Sequence, residues 1–243
     1  MRLVHTDEII ENIKEMCIKA NYDLSDDVKS AIGKGTSEET STLGKKILEQ
    51  LEENMSIAKN DGIPICQDTG MAVVFLKIGQ QVSISGIELE DAVNEGIRQG
   101  YKEGYLRKSV VSDPLLRKNT EDNTPGIIHY EIVPGENIEI TVAPKGFGSE
   151  NMSRIYMLKP ADGLEGVKEA IIETVRIAGP NACPPLVVGV GIGGDFEKAA
   201  ILSKKALTRE INKRSSIKYI KELLLYTLKN KVKIPKSIAC LLN

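Results

Sequence analysis

Apolar residues recur every three or four positions at Ile9, Ile10, Ile13, Met16, Cys17 and Ala20. That spacing places them on one face of a helix, and Thr6 stands where a side-chain cap would start it. Cys17 lies inside the stripe and reads as a core thiol. A second helical stripe, about 37–59, carries Leu43, Ile47, Leu51, Met55 and Ala58 and stops at Asn60-Asp61-Gly62. Residues 1–60 are thus expected to be helical. The pattern then changes. Residues 71–78 read as a strand, and 87–101 return to helical spacing through Leu89, Ala92, Val93 and Ile97. Residues 127–133 and 137–143 read as strands joined by Pro134-Gly135-Glu136, a hairpin signal. Helices are expected at 164–177, 195–207 and 217–230, with a short buried strand at 186–190. This order predicts an α+β (mixed α/β) fold, a helical N-terminal region packed on a mixed or antiparallel sheet with flanking helices. No linker or repeat divides it, so residues 1–243 are expected to form a single domain.

Composition narrows the function. Lys plus Arg is 32 and Asp plus Glu is 34, a net charge of −2 that excludes a strongly basic nucleic-acid binder. There is no Trp and only three Phe and seven Tyr, too few for a base-stacking platform. No apolar run approaches the ~20 residues of a membrane span. Met1 to Asn12 lacks the apolar core of a signal peptide, so a cytoplasmic location is the expectation. Cys17, Cys66, Cys183 and Cys240 are far apart with no CxxC, so zinc-ribbon spacing is absent.

The unusual chemistry sits in three loops. Pro64-Ile65-Cys66-Gln67-Asp68-Thr69-Gly70 sets a thiol, an amide, a carboxylate and a hydroxyl side by side just before a strand. It is either a polar turn with a half-buried cysteine or a site where a thiolate binds metal beside ligand-binding neighbours. Pro144-Lys145-Gly146-Phe147-Gly148-Ser149-Glu150-Asn151 is either a flexible hairpin loop or an anion nest of backbone N–H groups, with Ser149 and Asn151 as extra donors. In Gly179-Pro180-Asn181-Ala182-Cys183-Pro184-Pro185 the prolines hold the thiol stiffly, which suits a metal ligand.

Gly189-Val190-Gly191-Ile192-Gly193-Gly194 has the form of a dinucleotide-binding loop. The acidic strand end expected about 20 residues later is missing, so close packing or anion binding at a helix start is the better reading. Among Arg107, Lys108, Arg117, Lys118, Lys145 and Arg154, the planar fork of Arg107 best suits a carboxylate. His129 lies in an alternating strand and reads as packed or surface histidine; His5 is near the terminus and uninformative.

Taken in order, ICQDTG (65–70), LRKS (106–109), GFGSEN (146–151), ACPP (182–185) and GVGIGGDFEKAA (189–200) resemble the iron–sulfur hydro-lyases. These are the α subunits of class I fumarate hydratase and L(+)-tartrate dehydratase. The resemblance covers about residues 5–215 and implies a [4Fe–4S] cluster held by three cysteines, with Cys66 and Cys183 matching the first and second. It implies substrate contacts from Gln67, Asp68, Thr69 and Arg107 and from the backbone at Gly146 and Gly148, with Asp68 also in a catalytic role. It further implies a β subunit carrying the main base, an αβ assembly that dimerises, and reversible hydration or dehydration of a small dicarboxylate, fumarate to malate or tartrate to oxaloacetate.

The tail departs from that pattern. Residues 221–243, KELLLYTLKNKVKIPKSIACLLN, lack the Gly-rich β segment that holds the family's third ligand. Cys240 is the only cysteine there, and its neighbours do not match. Two other classes stay in view: a nucleotide-binding oxidoreductase using 189–194, and a non-catalytic structural subunit.

Overall fold

The computed structural model describes residues 1–211, 213 and 241–242. The expected helix at 217–230 and Cys240 lie outside them. In chain order the elements are β1 (Arg2–His5), α1 (Thr6–Tyr22), α2 (Asp26–Glu38), α3 (Thr42–Asp61), β2 (Met71–Gly79), β3 (Val82–Ser85) and α4 (Leu89–Glu103). Then follow β4 (Ile127–Val133), β5 (Ile138–Lys145), α5 (Phe147–Glu150), α6 (Gly163–Ala178), β6 (Val187–Val188), α7 (Phe196–Ala206) and β7 (Leu241–Leu242). This is the α+β class expected. The chain forms two compact units, Met1–Leu24 with Asn54–Phe147, and Ser25–Glu53 with Gly148–Asn243. Among the described residues no helix is long and apolar enough to cross a membrane.

In the first unit, β2 is the centre of a mixed three-stranded sheet, parallel to β4 on one edge and antiparallel to β5 on the other. The hairpin expected at 127–143 therefore does not form. The turn at 134–137 instead crosses the end of β2, where Gly79, Gln80 and Gln81 donate backbone N–H groups to Asn137, Val133 and Gly135. The reason lies in β2 itself. Val73 and Phe75 are buried as well as Ala72, Val74 and Leu76, so both faces of the strand avoid water and it takes the middle. A short parallel pair, β1 with β3, adds a strand at the N-terminus that the helical pattern hid.

Ala72, Val74 and Leu76 share one buried cluster with Ile9, Ile13 and Cys17 of α1 and Val93, Ile97 and Tyr101 of α4. The helix pair is close because α4 presents glycine to α1. A Cβ at Gly96 would come 2.8 Å from the Ile10 carbonyl oxygen, and one at Gly100 2.8 Å from Cys17 Cβ. The cap of α1 is His5, whose ring accepts from the Asp7 N–H. Thr6, expected in that role, is fully buried and its hydroxyl accepts from Ile87 N–H at 3.1 Å.

In the second unit the expected 37–59 stripe is interrupted: Ser37 and Glu38 end α2, and α3 starts at Thr42. Leu43 and Ile47 of the stripe are exposed, and Leu48, outside it, is the buried residue of this part of α3; Ala58, at the stripe's far end in the first unit, is buried. Thr36 donates to Glu52 Oε1 at 2.7 Å, joining α2 to α3. Asp27 accepts from Ile211 N–H at 2.7 Å and ties the stretch after α7 to α2. The Ser25 hydroxyl and this N–H hold the Asp27 carboxyl below the ordinary carboxylate range.

Two predictions follow from packing and charge. Replacing Gly100 with Leu, which meets α1 backbone, destabilises by about 1–3 kcal/mol in urea unfolding, whereas Gly33→Ala, with only Glu52 Oε1 at 3.6 Å, stabilises by about 0.5–1 kcal/mol. A depressed carboxyl contributes stability above its unfolded pKa and loses it as pH falls through the folded value. The urea midpoint of Asp27→Asn is thus expected to fall less than the wild type's on going from pH 6 to about pH 3.

Candidate active site

The loop before β2 is fastened at both ends and open at its apex. Ile65 donates its N–H to the Asn21 carbonyl at 2.9 Å and its own carbonyl accepts from Asn54 Nδ2 at 2.9 Å. At the other end Thr69 is buried. Its carbonyl accepts from the Tyr101 hydroxyl at 2.8 Å, and its hydroxyl donates to the Arg107 carbonyl at 3.0 Å. Burial raises the Tyr101 phenol above its usual pKa, which keeps it a neutral donor. Gly70 has φ +63, and a Cβ there would lie 2.1 Å from the Lys145 carbonyl oxygen, so only glycine passes this point.

Between these anchors Cys66 and Gln67 are exposed. The Cys66 thiol donates to Gln67 Oε1 at 3.3 Å, and its sulfur accepts the Asp68 N–H at 3.4 Å. Gly146 leaves room for the Asp68 carboxylate: a Cβ there would come within 3.0 Å of Oδ2. Arg107 is exposed, and only its backbone is held, by Thr69. The first unit therefore brings together Cys66, Gln67, Asp68, Thr69, Arg107 and Gly146.

Gly148 and Cys183 belong to the second unit. A Cβ on Gly148 would sit 3.5 Å from the Asn181 carbonyl oxygen, so the glycine turn adjoins the loop that carries Cys183. Cys183 caps a 3-10 turn, Gly179–Ala182, in the left-handed region at φ +56. That backbone costs a non-glycine residue on the order of 1 kcal/mol and turns the thiol outward, where it is exposed. Lys204 of α7 pairs with Glu150 at the end of α5.

The remaining candidates have structural roles. Cys17 is completely buried and its thiol is pushed up to about 12 by burial, as a core residue should be. His129 stacks on Phe75 with ring centroids 4.9 Å apart. Arg154 donates to the carbonyls of Asn151 and Ser153. In the 189–194 loop, a Cβ on Gly189 or Gly191 would strike the Ser203 or Ala199 carbonyl oxygen at 2.2 and 2.1 Å. Those glycines serve close packing on α7. The helix start is already capped by the Asp195 carboxylate, which accepts from Lys198 N–H, so a second anion meets like charge there.

Sequence reasoning missed Asn21, Tyr101 and Asn123, the buried polar groups that hold the loops. Their signal was faint: Asn21 and Tyr101 end helical stripes, and Asn123 precedes a Thr-Pro turn. The fit at Gly70 is testable against Gly62, which has φ +62 but only Tyr22 Cε2 at 3.9 Å. Both substitutions to Ala strain the backbone, but Gly70→Ala also drives Lys145 away. It is expected to lower the melting temperature further and to speed alkylation of Cys66, with Gly62→Ala close to wild type in the second assay.

The family described as fumarate hydratase (Fumerase) matches residues 10–234. A protein of Methanocaldococcus jannaschii, provisionally named L(+)-tartrate dehydratase subunit alpha, is 42% identical over 224 residues, spanning 90% of this chain and 77% of that protein. The L(+)-tartrate dehydratase subunit alpha of Escherichia coli strain UTI89 is 34% identical over 211 residues, covering 85% of this chain and 68% of its own length. Its counterpart in strain K12 is 33% identical over the same length. With the greater part of its sequence matched in this way, the chain belongs to the fumarate hydratase (Fumerase) family of hydro-lyases.

Proposed function

We propose that this chain is the α subunit of a [4Fe–4S]-dependent hydro-lyase that adds water to, or removes it from, a small dicarboxylate. The observation that carries the reading is the loop pinned at Ile65, Thr69 and Gly70 that exposes Cys66 and Gln67, with the Arg107 backbone bonded to Thr69. The names of the relatives, L(+)-tartrate dehydratase subunit alpha, support tartrate as substrate and a β subunit as partner. Fumarate shares the two carboxylates and is the first alternative substrate.

The donor set suits such a cluster. Cys66 and Cys183 are exposed thiols, the soft ligands that iron–sulfur clusters take, and the Asp68 N–H already points at the Cys66 sulfur. Among the described residues no group of three His, Cys, Asp or Glu is arranged for a metal ion, so the third ligand is sought elsewhere. When bound, the cluster supplies a Lewis-acidic iron for the oxygen that leaves as water.

The chain's own residues do the rest. Arg107 binds a substrate carboxylate through two parallel N–H donors, which fixes the reacting carbons. Gln67 and the Thr69 segment line that position, and the backbone at Gly146 and Gly148 contacts the second carboxylate. Asp68 orients a catalytic group or handles a proton, while the base that takes the carbon-bound proton comes from the partner.

Anaerobic reconstitution with iron and sulfide tests the ligand assignment. The wild type is expected to turn brown, and Cys66→Ser and Cys183→Ser to retain less than about half of its iron and sulfide. Unchanged cluster content in either variant defeats its assignment. With the β subunit present, Arg107→Lys is expected to raise the KM for tartrate about tenfold, because an ammonium lacks the planar fork.

A further inference from the structure

Asn123 has no exposed surface at all. It sits at φ +63, a left-handed conformation that Asn tolerates better than most residues. Its carbonyl oxygen accepts from Ser109 N–H at 2.7 Å and Val110 N–H at 3.1 Å. Its amide nitrogen donates to the Gly70 carbonyl at 3.1 Å. One side chain thus joins the residue that ends the Cys66 loop to the two peptides that begin two residues after Arg107.

Its own turn does not need these bonds. The neighbouring Asp122 carboxylate accepts from Thr124 N–H at 3.0 Å and from the Thr124 hydroxyl at 2.8 Å. Its other oxygen accepts from Arg98 Nε at 3.0 Å. Asn94 Oδ1 accepts from Gly126 N–H at 2.9 Å. The turn is therefore held by Asp122, Arg98 and Asn94, while the Asn123 side chain reaches the two distant segments, with the Tyr101 phenol of α4 as a further neighbour. Burying an amide is favourable only when its donors and acceptors are met, and here three backbone groups meet them.

We propose that Asn123 is a positioning residue that sets the Arg107 segment against the Cys66–Asp68 loop. It acts with the Thr69 hydroxyl, which grips the Arg107 carbonyl itself. The two ties hold the backbone that follows the Arg107 Cα, one at its own carbonyl and one at the next peptides, so the guanidinium starts from a fixed backbone. Without the Asn123 tie the side chain keeps its charge but loses its place relative to the loop. The inference rests on the reading of Arg107 as the carboxylate ligand, and the test separates the two.

Hydrogen exchange followed by mass spectrometry on the full chain tests the tie without any activity. Asn123→Ala is expected to speed exchange in peptides covering 106–111 and 66–71, with the α2 peptides unchanged. Asn123→Asp keeps an acceptor for Ser109 and Val110 but loses the donor to Gly70. It is expected to speed only 66–71, and it serves if the Ala variant does not fold. Unchanged exchange at both segments overturns the proposal.

Steady-state kinetics with tartrate and with fumarate, on the chain with its β subunit, tests the consequence. Asn123→Ala is expected to raise KM about tenfold with kcat within about twofold, and to add less than about twofold to KM in an Arg107→Ala background. Equal effects in both backgrounds mean a purely structural role and overturn the proposal. A wild type inactive on both acids defeats the functional reading alone, and exchange still decides whether Asn123 holds the two segments.

Discussion

The spacing of α1 and α4 governs the geometry of the first unit. At Gly96 and Gly100 α4 puts no side chain into the gap, and the Ile10 and Lys14 backbone with the Ile13 and Cys17 side chains of α1 set how near the helices come. The two anchors of the Cys66 loop come from this pair, the Asn21 carbonyl at the end of α1 and the Tyr101 hydroxyl on α4. A gap set by close-packed backbone does not adjust the way flexible side chains do. The loop ends are therefore held at a fixed separation, and the exposed segment between them has little freedom to drift.

Much of this architecture is visible in the sequence, for reasons that also explain the failures. Ile9, Ile13 and Cys17, and Ala92, Val93 and Ile97, reveal α1 and α4 because burial of one helix face leaves a period of 3.6. The turn at Pro134-Gly135-Glu136 is just as clear locally, yet it misled on topology. A turn signal says that the chain bends, not which strand it bends toward, and that choice was made by the two-faced burial of β2, some 60 residues earlier. Thr6 was assigned to a cap on the same local logic, while its hydroxyl was taken by Ile87, 81 residues away.

The candidate site divides in the same way. The cysteines, Gln67, Asp68 and Arg107 stand out through ordered resemblance, not spacing, since nothing in the chain between Thr69 and Arg107 announces that the two touch. Asn123 was invisible because its meaning lies in partners 13, 14 and 53 residues distant. The glycine run at 189–194 shows the reverse error that motifs invite. Its form suggests a nucleotide, but the missing side chains are explained by α7 lying against Gly189 and Gly191.

The burial of Cys17 beside the exposure of Cys66 and Cys183 sorts the described thiols by chemical fate. An oxidant in solution meets the two open sulfurs first and carries them to sulfenic acid or beyond, while the third stays reduced inside the helix pair. Oxidation of the described thiols is thus concentrated on the two that stand outside the fold's core and spares the one packed within it.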